Sequence, residues 1–225
     1  MKTDYELQKD VMEEIKWDPS LRTVASEIGV SVKDGVVTLS GRVDQYSKKL
    51  AAEQAAQRVA GVRVVAEDIV VKLPGTLLRT DTEIAQAVSN ALKWHASVNE
   101  DVIEVKVEDG WIYLDGTVEW EYQKRAAEIA IRDLIGVKGV LNRIHIKPSL
   151  DAHDIKSKIA ATFHRSATID SGNVKVDVNG SRVILKGKVR SWAERQEAEK
   201  AAWAAPGVVM VDNKIEVNPA ILELA

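Results

Sequence analysis

The sequence predicts an α+β protein of three tandem α-β-β-α-β units, each a three-stranded mixed sheet with two helices packed on one face. Three observations predict it. The stretch "DGVVTLSGRV" at 34–43 returns as "DGWIYLDGTV" at 109–118 and as "NGSRVILKGKV" at 179–189. A stripe of apolar residues at helical spacing precedes each copy, and an Ala-rich helical stretch follows it. The period of about 71–77 residues marks an array of small domains rather than a short-period solenoid. We place the units at 1–75, 76–148 and 149–225.

The first helix is read from Leu7, Val11 and Ile15, then Ile84, Val88 and Leu92, then Ile155, Ile159 and Phe163. Each set follows i, i+4, i+8 and so forms one stripe. Thr80-Asp81-Thr82-Glu83 reads as a capping box, with Asp4 and Asp151 as caps of the other copies. The hairpin strands follow period two: Val30 and Val32 lead to Val37, Leu39 and Val43 in the first copy. Gly35, Gly110 and Gly180 supply the positive φ that a tight hairpin needs. The third copy has one extra residue after Gly180, which predicts a longer or bulged loop. Gly41, Gly116 and Gly187 fall on the apolar face, where we expect a helix to cross closely. The second helix is expected to stop at Gly61, Gly136 and Gly207. A last strand runs through Val65, Ile69 and Val71, and their equivalents, before Pro74, Pro148 and Pro219. A right-handed crossover through the second helix places that strand parallel to the one before it. Units this small are marginal alone, and their short connections predict that they lean on one another.

Bulk composition excludes several classes. Lys plus Arg against Asp plus Glu is 11 to 12, 9 to 12 and 11 to 10 in the three units, so none carries the basic footprint of a nucleic-acid binder. The chain has no cysteine, which removes thiol catalysis and cysteine metal sites. Its acidic start is unlike a signal peptide, and no apolar run is long enough to span a membrane. The expectation is a cytoplasmic chain, peripheral to membranes at most.

In its element order, its "DG-x-x-x-L-x-G-x-V" hairpin, its Ala-rich helix and its closing "GV-x-x-V-x-N-x-I-x-V", the chain resembles the BON family. That family is named for bacterial osmotically inducible and nodulation proteins, and is also called transport-associated. The resemblance covers nearly the whole chain as three copies. Unit one departs with Glu67 where the others have Asn142 and Asn213. The resemblance implies no enzymatic activity, binding of phospholipid or membrane surfaces, and a role in envelope integrity and osmotic stress. Members joined to a LysM module are associated with potassium, and LysM is not evident here.

The residues carry no catalytic signature. His95, His145, His153 and His164 lack metal-ligand spacing and read as surface residues, and no nucleophile elbow, P-loop or dinucleotide loop is present. We expect no cofactor and no metal. Six tryptophans against one phenylalanine direct attention to aromatic surfaces instead. Trp17 and Trp94 share a repeat position, where unit three has Arg165. They read as structural plugs at a helix end; the rival is an interfacial anchor, with Lys16, Lys93 and His95 alongside. Trp111 and Tyr113 point away from the helices, toward contact with a neighbouring unit or, as the sharper alternative, a partner or second subunit. Lys175, Lys186, Lys188 and Arg190, with Trp192 just beyond, form a basic stripe suited to phosphates; the plainer reading is an edge kept soluble by lysines. The expected function is a non-enzymatic binding or scaffold protein that meets anionic phospholipid. The alternatives are a small-ligand or potassium sensor and a homo-oligomer built on the Trp111/Tyr113 face.

Overall fold

The computed structural model describes residues 2–96, 100–147, 155–165, 173–205 and 208–218. The expected features at Pro148, Asp151, His153, Gly207 and Pro219 lie outside the described residues, as do the side chains of His164 and Arg165.

Unit one contains α1 (Asp4–Trp17), β1 (Ile28–Lys33), β2 (Val36–Val43), α2 (Tyr46–Arg58) and β3 (Val64–Val71). Unit two contains α3 (Asp81–Trp94), β4 (Ile103–Glu108), β5 (Trp111–Val118), α4 (Glu121–Ile131), β6 (Gly139–Asn142) and β7 (His145–Ile146). Unit three contains α5 (Ile155–Arg165), β8 (Val174–Asn179), β9 (Arg182–Val189), α6 (Trp192–Trp203) and β10 (Met210–Val217). In every unit the hairpin is antiparallel and the last strand pairs parallel to the middle one, which gives the expected mixed sheet.

Each sheet has its own core. Val37 and Leu39, Ile112 and Leu114, Val183 and Leu185 are fully buried on the inner faces. The helix stripes meet them: Leu7, Val11 and Ile15 in unit one, Ile84, Val88 and Leu92 in unit two, Ile159 and Phe163 in unit three. The second helices contribute small side chains, Ala52, Ala55 and Ala56 in α2 and Ala198 and Ala202 in α6. Small residues let these helices sit close to the sheet. Burying one large aliphatic side chain is worth about 1.5–3 kcal/mol, so these stripes dominate each unit's stability.

The capping box at Thr80 and Glu83 forms as predicted, and its bond from the Thr80 backbone N–H holds the Glu83 carboxyl below the usual range. In unit one the cap is Thr3, with Glu6, rather than Asp4. Asp4 reaches across instead: its carboxylate accepts from the N–H groups of Asp34 and Gly35 at 3.0 and 3.4 Å. Asp81 does the same for Asp109 and Gly110 at 2.8 and 2.9 Å. These carboxylates tie the first helix to turns whose Asp and Gly both have positive φ.

Three expectations need correction. The third hairpin has no longer loop: Asn179 pairs with Arg182 around Gly180-Ser181, just as Lys33 pairs with Val36. The extra residue is a shift of the Asn-Gly pair by one position relative to Asp-Gly. Gly41, Gly116 and Gly187 do not sit under the long helices; in units one and two the close approach comes from the last residue of a short 3-10 turn, Ala25–Glu27 and Glu100–Val102. A Cβ on them would lie 2.0, 2.2 and 2.0 Å from the carbonyl oxygens of Glu27, Val102 and Asn173, at the entry to each first strand. The glycine is needed because backbone meets backbone there, and because φ is +115, +136 and +137. Finally, α2 ends at Arg58 and α4 at Ile131, so Gly61 and Gly136 lie in the turn beyond the helix stop.

The units lean on one another through their second helices. Tyr46, the first residue of α2, packs against the unit-two core, with its phenol facing the Val140 backbone N–H. Burial first, and then Glu128, raises its pKa above the ordinary tyrosine value. Helix α2 lies against α6, where Gln196 Nε2 donates to Gln57 Oε1 at 3.2 Å.

Candidate functional site

Helices cover one side of each sheet, so binding must use the open sides, the helix ends or the junctions. A small cleft between units one and two is lined by Tyr46, Leu73, Leu77 and residues 132–137. Among the described residues no group of three or more His, Asp or Glu side chains could hold a metal ion, and no helix is long and apolar enough to cross a membrane.

The ends of the first helices are the most exposed aromatic sites. Trp17 and Trp94, the last residues of α1 and α3, are 83% and 87% exposed. They are not plugs. The stripe Leu7-Val11-Ile15 already fills the interior, and a residue two positions on rotates by about 200°, away from the sheet. Lys16 and Lys93 precede them in the last turn, where a cation complements the carbonyl end of the helix. The outer side of α1 adds Tyr5 and Met12, both exposed. Their i, i+7 spacing with Lys9 and Lys16 was visible in the sequence but was masked by the stronger inward stripe.

The open sheet faces differ between units. In unit two Trp111 is 42% exposed and its ring covers Gly139. Lys106 and Arg143 stand over the Tyr113 ring, at 5.7 and 5.4 Å from its centre. These partners belong to the same unit, so the expected contact with a neighbouring unit is not what holds the aromatics.

In unit three the basic stripe is largely neutralised. Lys186 pairs with Asp177 at 2.9 Å, Lys188 with Glu216 at 3.9 Å and Arg190 with Glu194 at 2.7 Å. Arg182 and Lys214 share Asp212. Lys175 is exposed beside Lys186. Trp192 does not join them. It opens α6 in the helix layer, under the Arg195 guanidinium at 5.1 Å.

The departure at Glu67 has a local effect. Asn142 and Asn213 bond the carboxylates of Glu128 and Glu199 on the second helix. In unit one Glu67 pairs instead with Lys49 at 3.2 Å. Glu53, equivalent to Glu128 and Glu199, is left facing a like charge. Burial first, then Glu67, raises its pKa.

Comparison with known proteins adds the following. The model of the BON domain matches residues 3–72, 80–148 and 151–219. Osmotically-inducible protein Y of Escherichia coli (strain K12) is 29% identical over 146 residues, covering 61% of this chain and 73% of that protein. An Anaplasma centrale protein described as "Uncharacterized protein in gshII 5'region" is 26% identical over 129 residues, covering 56% and 85%. A solved structure of the C-terminal domain of CdsD, a structural protein of the type III secretion system of Chlamydia trachomatis, aligns over 97% of this chain and 100% of that one. Its TM-score of 0.26 and identity of 15% carry no argument about this chain.

Proposed function

This chain belongs to the BON-domain family, as three copies in series, and from that premise we propose that it is a non-enzymatic protein that docks on anionic phospholipid surfaces during osmotic stress. The stress assignment rests on the relative named as osmotically inducible. The observation that carries the docking is the near-complete exposure of Trp17 and Trp94 at equivalent helix ends. Tryptophan suits a boundary with an apolar and a wet side. The neighbouring Lys16 adds attraction to anionic head groups, at about 1 kcal/mol for a cation near the surface.

Lys186, Lys188 and Arg190 play a smaller part in this reading, because carboxylates already occupy them. Lys175 is the cation of that face with most to offer a phosphate.

Liposome co-sedimentation tests the proposal. Binding should require anionic lipid, weaken at high ionic strength, and fall at least tenfold in Trp17→Ser/Trp94→Ser. Equal recovery of protein with neutral and anionic vesicles, or no effect of the double substitution, would refute it.

A further inference from the structure

We propose that the free edge of β4 binds an extended peptide as a fourth strand, with a small apolar side chain over Val105 and a cation beside Glu104. The first strands of the three units differ in burial at a single position. Val30, Val105 and Val176 are equivalent, each paired with the fully buried leucine of its middle strand, Leu39, Leu114 or Leu185. Val30 and Val176 are 8% and 9% exposed, whereas Val105 is 37% exposed. The first helix accounts for the contrast between units one and two. Gln8, next to Leu7 of the inward stripe, reaches the strand edge and donates through Nε2 to the Val30 carbonyl at 2.6 Å. Its equivalent in unit two, next to Ile84, is Ala85, and Met12 one turn on corresponds to Ser89. Helix α3 therefore leaves a notch beside Val105 where α1 supplies side chain.

Two further observations say what fits the notch. The first is the backbone. The two-residue turn Asp109-Gly110 makes Glu108 and Trp111 a bonded pair. Bonding then alternates along β4, so Val107, Val105 and Ile103 direct their N–H and C=O groups away from β5. The Gln8 bond to the equivalent Val30 carbonyl marks the same direction in unit one. Among the described residues no group bonds the Val105 N–H or C=O across this edge. An unpaired row of this kind is matched by an extended backbone. The second is charge. On the open side Glu104 stands directly across from Asp115 of β5. Like charges so placed repel. Among the described residues neither carboxylate has an ion-pair partner, because Lys106, the next outward residue, is taken by Glu108 at 2.8 Å. A lysine or arginine on the incoming strand, next to Glu104, supplies the missing cation, while the adjacent residue of that strand turns inward over Val105. The partner is thus a segment in which basic and small apolar residues alternate. Unit one closes its own edge with Gln8, and in unit three Asp177 is already paired with Lys186.

The probe is a blocked, fluorescein-labelled heptapeptide in which lysine and valine alternate. It is titrated into the full chain in lipid-free buffer and read by anisotropy, so that the outcome is separate from that of vesicle docking. Saturable binding is expected. Affinity should fall at least ~10-fold in Ala85→Gln, which installs the side chain that closes the edge in unit one and so removes an apolar contact and a backbone bond. The same peptide N-methylated throughout keeps its charge but cannot donate to the edge, and should not bind. A glutamate–valine peptide should fail against the parent and bind Glu104→Lys. Thermal melting of each variant, unchanged from the parent, shows that folding is intact. Absence of saturable binding, equal affinity of the parent and Ala85→Gln, equal affinity of the methylated peptide, or an unchanged preference between the two peptides in Glu104→Lys would overturn the proposal. A parent that sediments as a dimer while Ala85→Gln sediments as a monomer would also overturn it, by making a second copy's β4 the occupant.

Discussion

The inner and outer faces of the three sheets obey different rules. On the inside, Val37 and Leu39, Ile112 and Leu114, and Val183 and Leu185 occupy equivalent positions and are buried to the same extent. On the outside, unit two presents Trp111, Tyr113 and Leu141, while unit three presents lysines and arginines matched to carboxylates. Unit one has neither: Val36, Val64 and Val70 are exposed there beside Thr38 and Ser40. The interior of a small domain must fill a fixed volume at crystal-like density, so its residues repeat with the fold. The outer face has no volume to fill. Its chemistry diverged between copies, and binding is therefore to be sought there and at the helix ends.

The largest effects should come from the inside. Leu114→Ala or Leu185→Ala should each cost about 2–5 kcal/mol, because a fully buried side chain leaves a cavity. Denaturant unfolding measures this. If either variant melts like the parent, the cores are not the load-carrying part of the comparison. Gly116→Ala should cost roughly 1–3 kcal/mol, since a Cβ there meets the Val102 oxygen at 2.2 Å with φ at +136. Gly75→Ala is the control, because a Cβ there meets nothing within 4 Å.

Much of that inside was legible in the sequence. The i, i+4, i+8 stripes and the period-two strands were legible because each residue's burial depends on its own position in a helix or strand. The parallel third strand was legible because handedness allows one crossover. What was not legible depended on a second element. Gly116 announced a close approach, but not that the approaching atom was the Val102 oxygen. Asp4 looked like a cap and Asp81 like an inner member of the Thr80–Glu83 box, because nothing in the local sequence shows a hairpin turn some thirty residues away folding back onto them. The candidate site was legible in part. Trp17 and Trp94 stood out by repetition, yet repetition alone suggested structure. The lysines of β9 looked free, because their carboxylate partners come from β8 and β10.

A smaller effect sharpens the comparison between units at one inner position. Glu67→Asn would give unit one the arrangement that Asn142 and Asn213 make in the other two. The Glu53 carboxyl should then titrate lower, having lost a like charge and gained an amide donor. The sign follows from linkage. A carboxyl whose folded pKa is raised destabilises the fold above that pKa, and the penalty disappears as pH falls below the unfolded value. The variant's gain should therefore be greatest near neutrality and vanish on acidification, offset in part by the loss of the Lys49 pair. Carbon-detected titration of Glu53 reads this directly, and an unchanged midpoint would show that Glu67 is not the neighbour that matters.

The smallest effect should come from the outer face. Lys186→Ser removes a cation paired at 2.9 Å with Asp177 while both side chains remain about half exposed. Exposed pairs of this kind contribute about 0–1 kcal/mol, and Lys175 lies directly across from Lys186, so removing one of two like charges returns part of the loss. Stability should change by less than ~0.5 kcal/mol. Vesicle binding should also hold nearly constant, because Lys186 is already occupied. The parallel substitution Lys175→Ser should weaken vesicle binding more than Lys186→Ser does. If the two substitutions weaken it equally, pairing with Asp177 does not withdraw Lys186 from the surface, and the whole basic stripe acts as one.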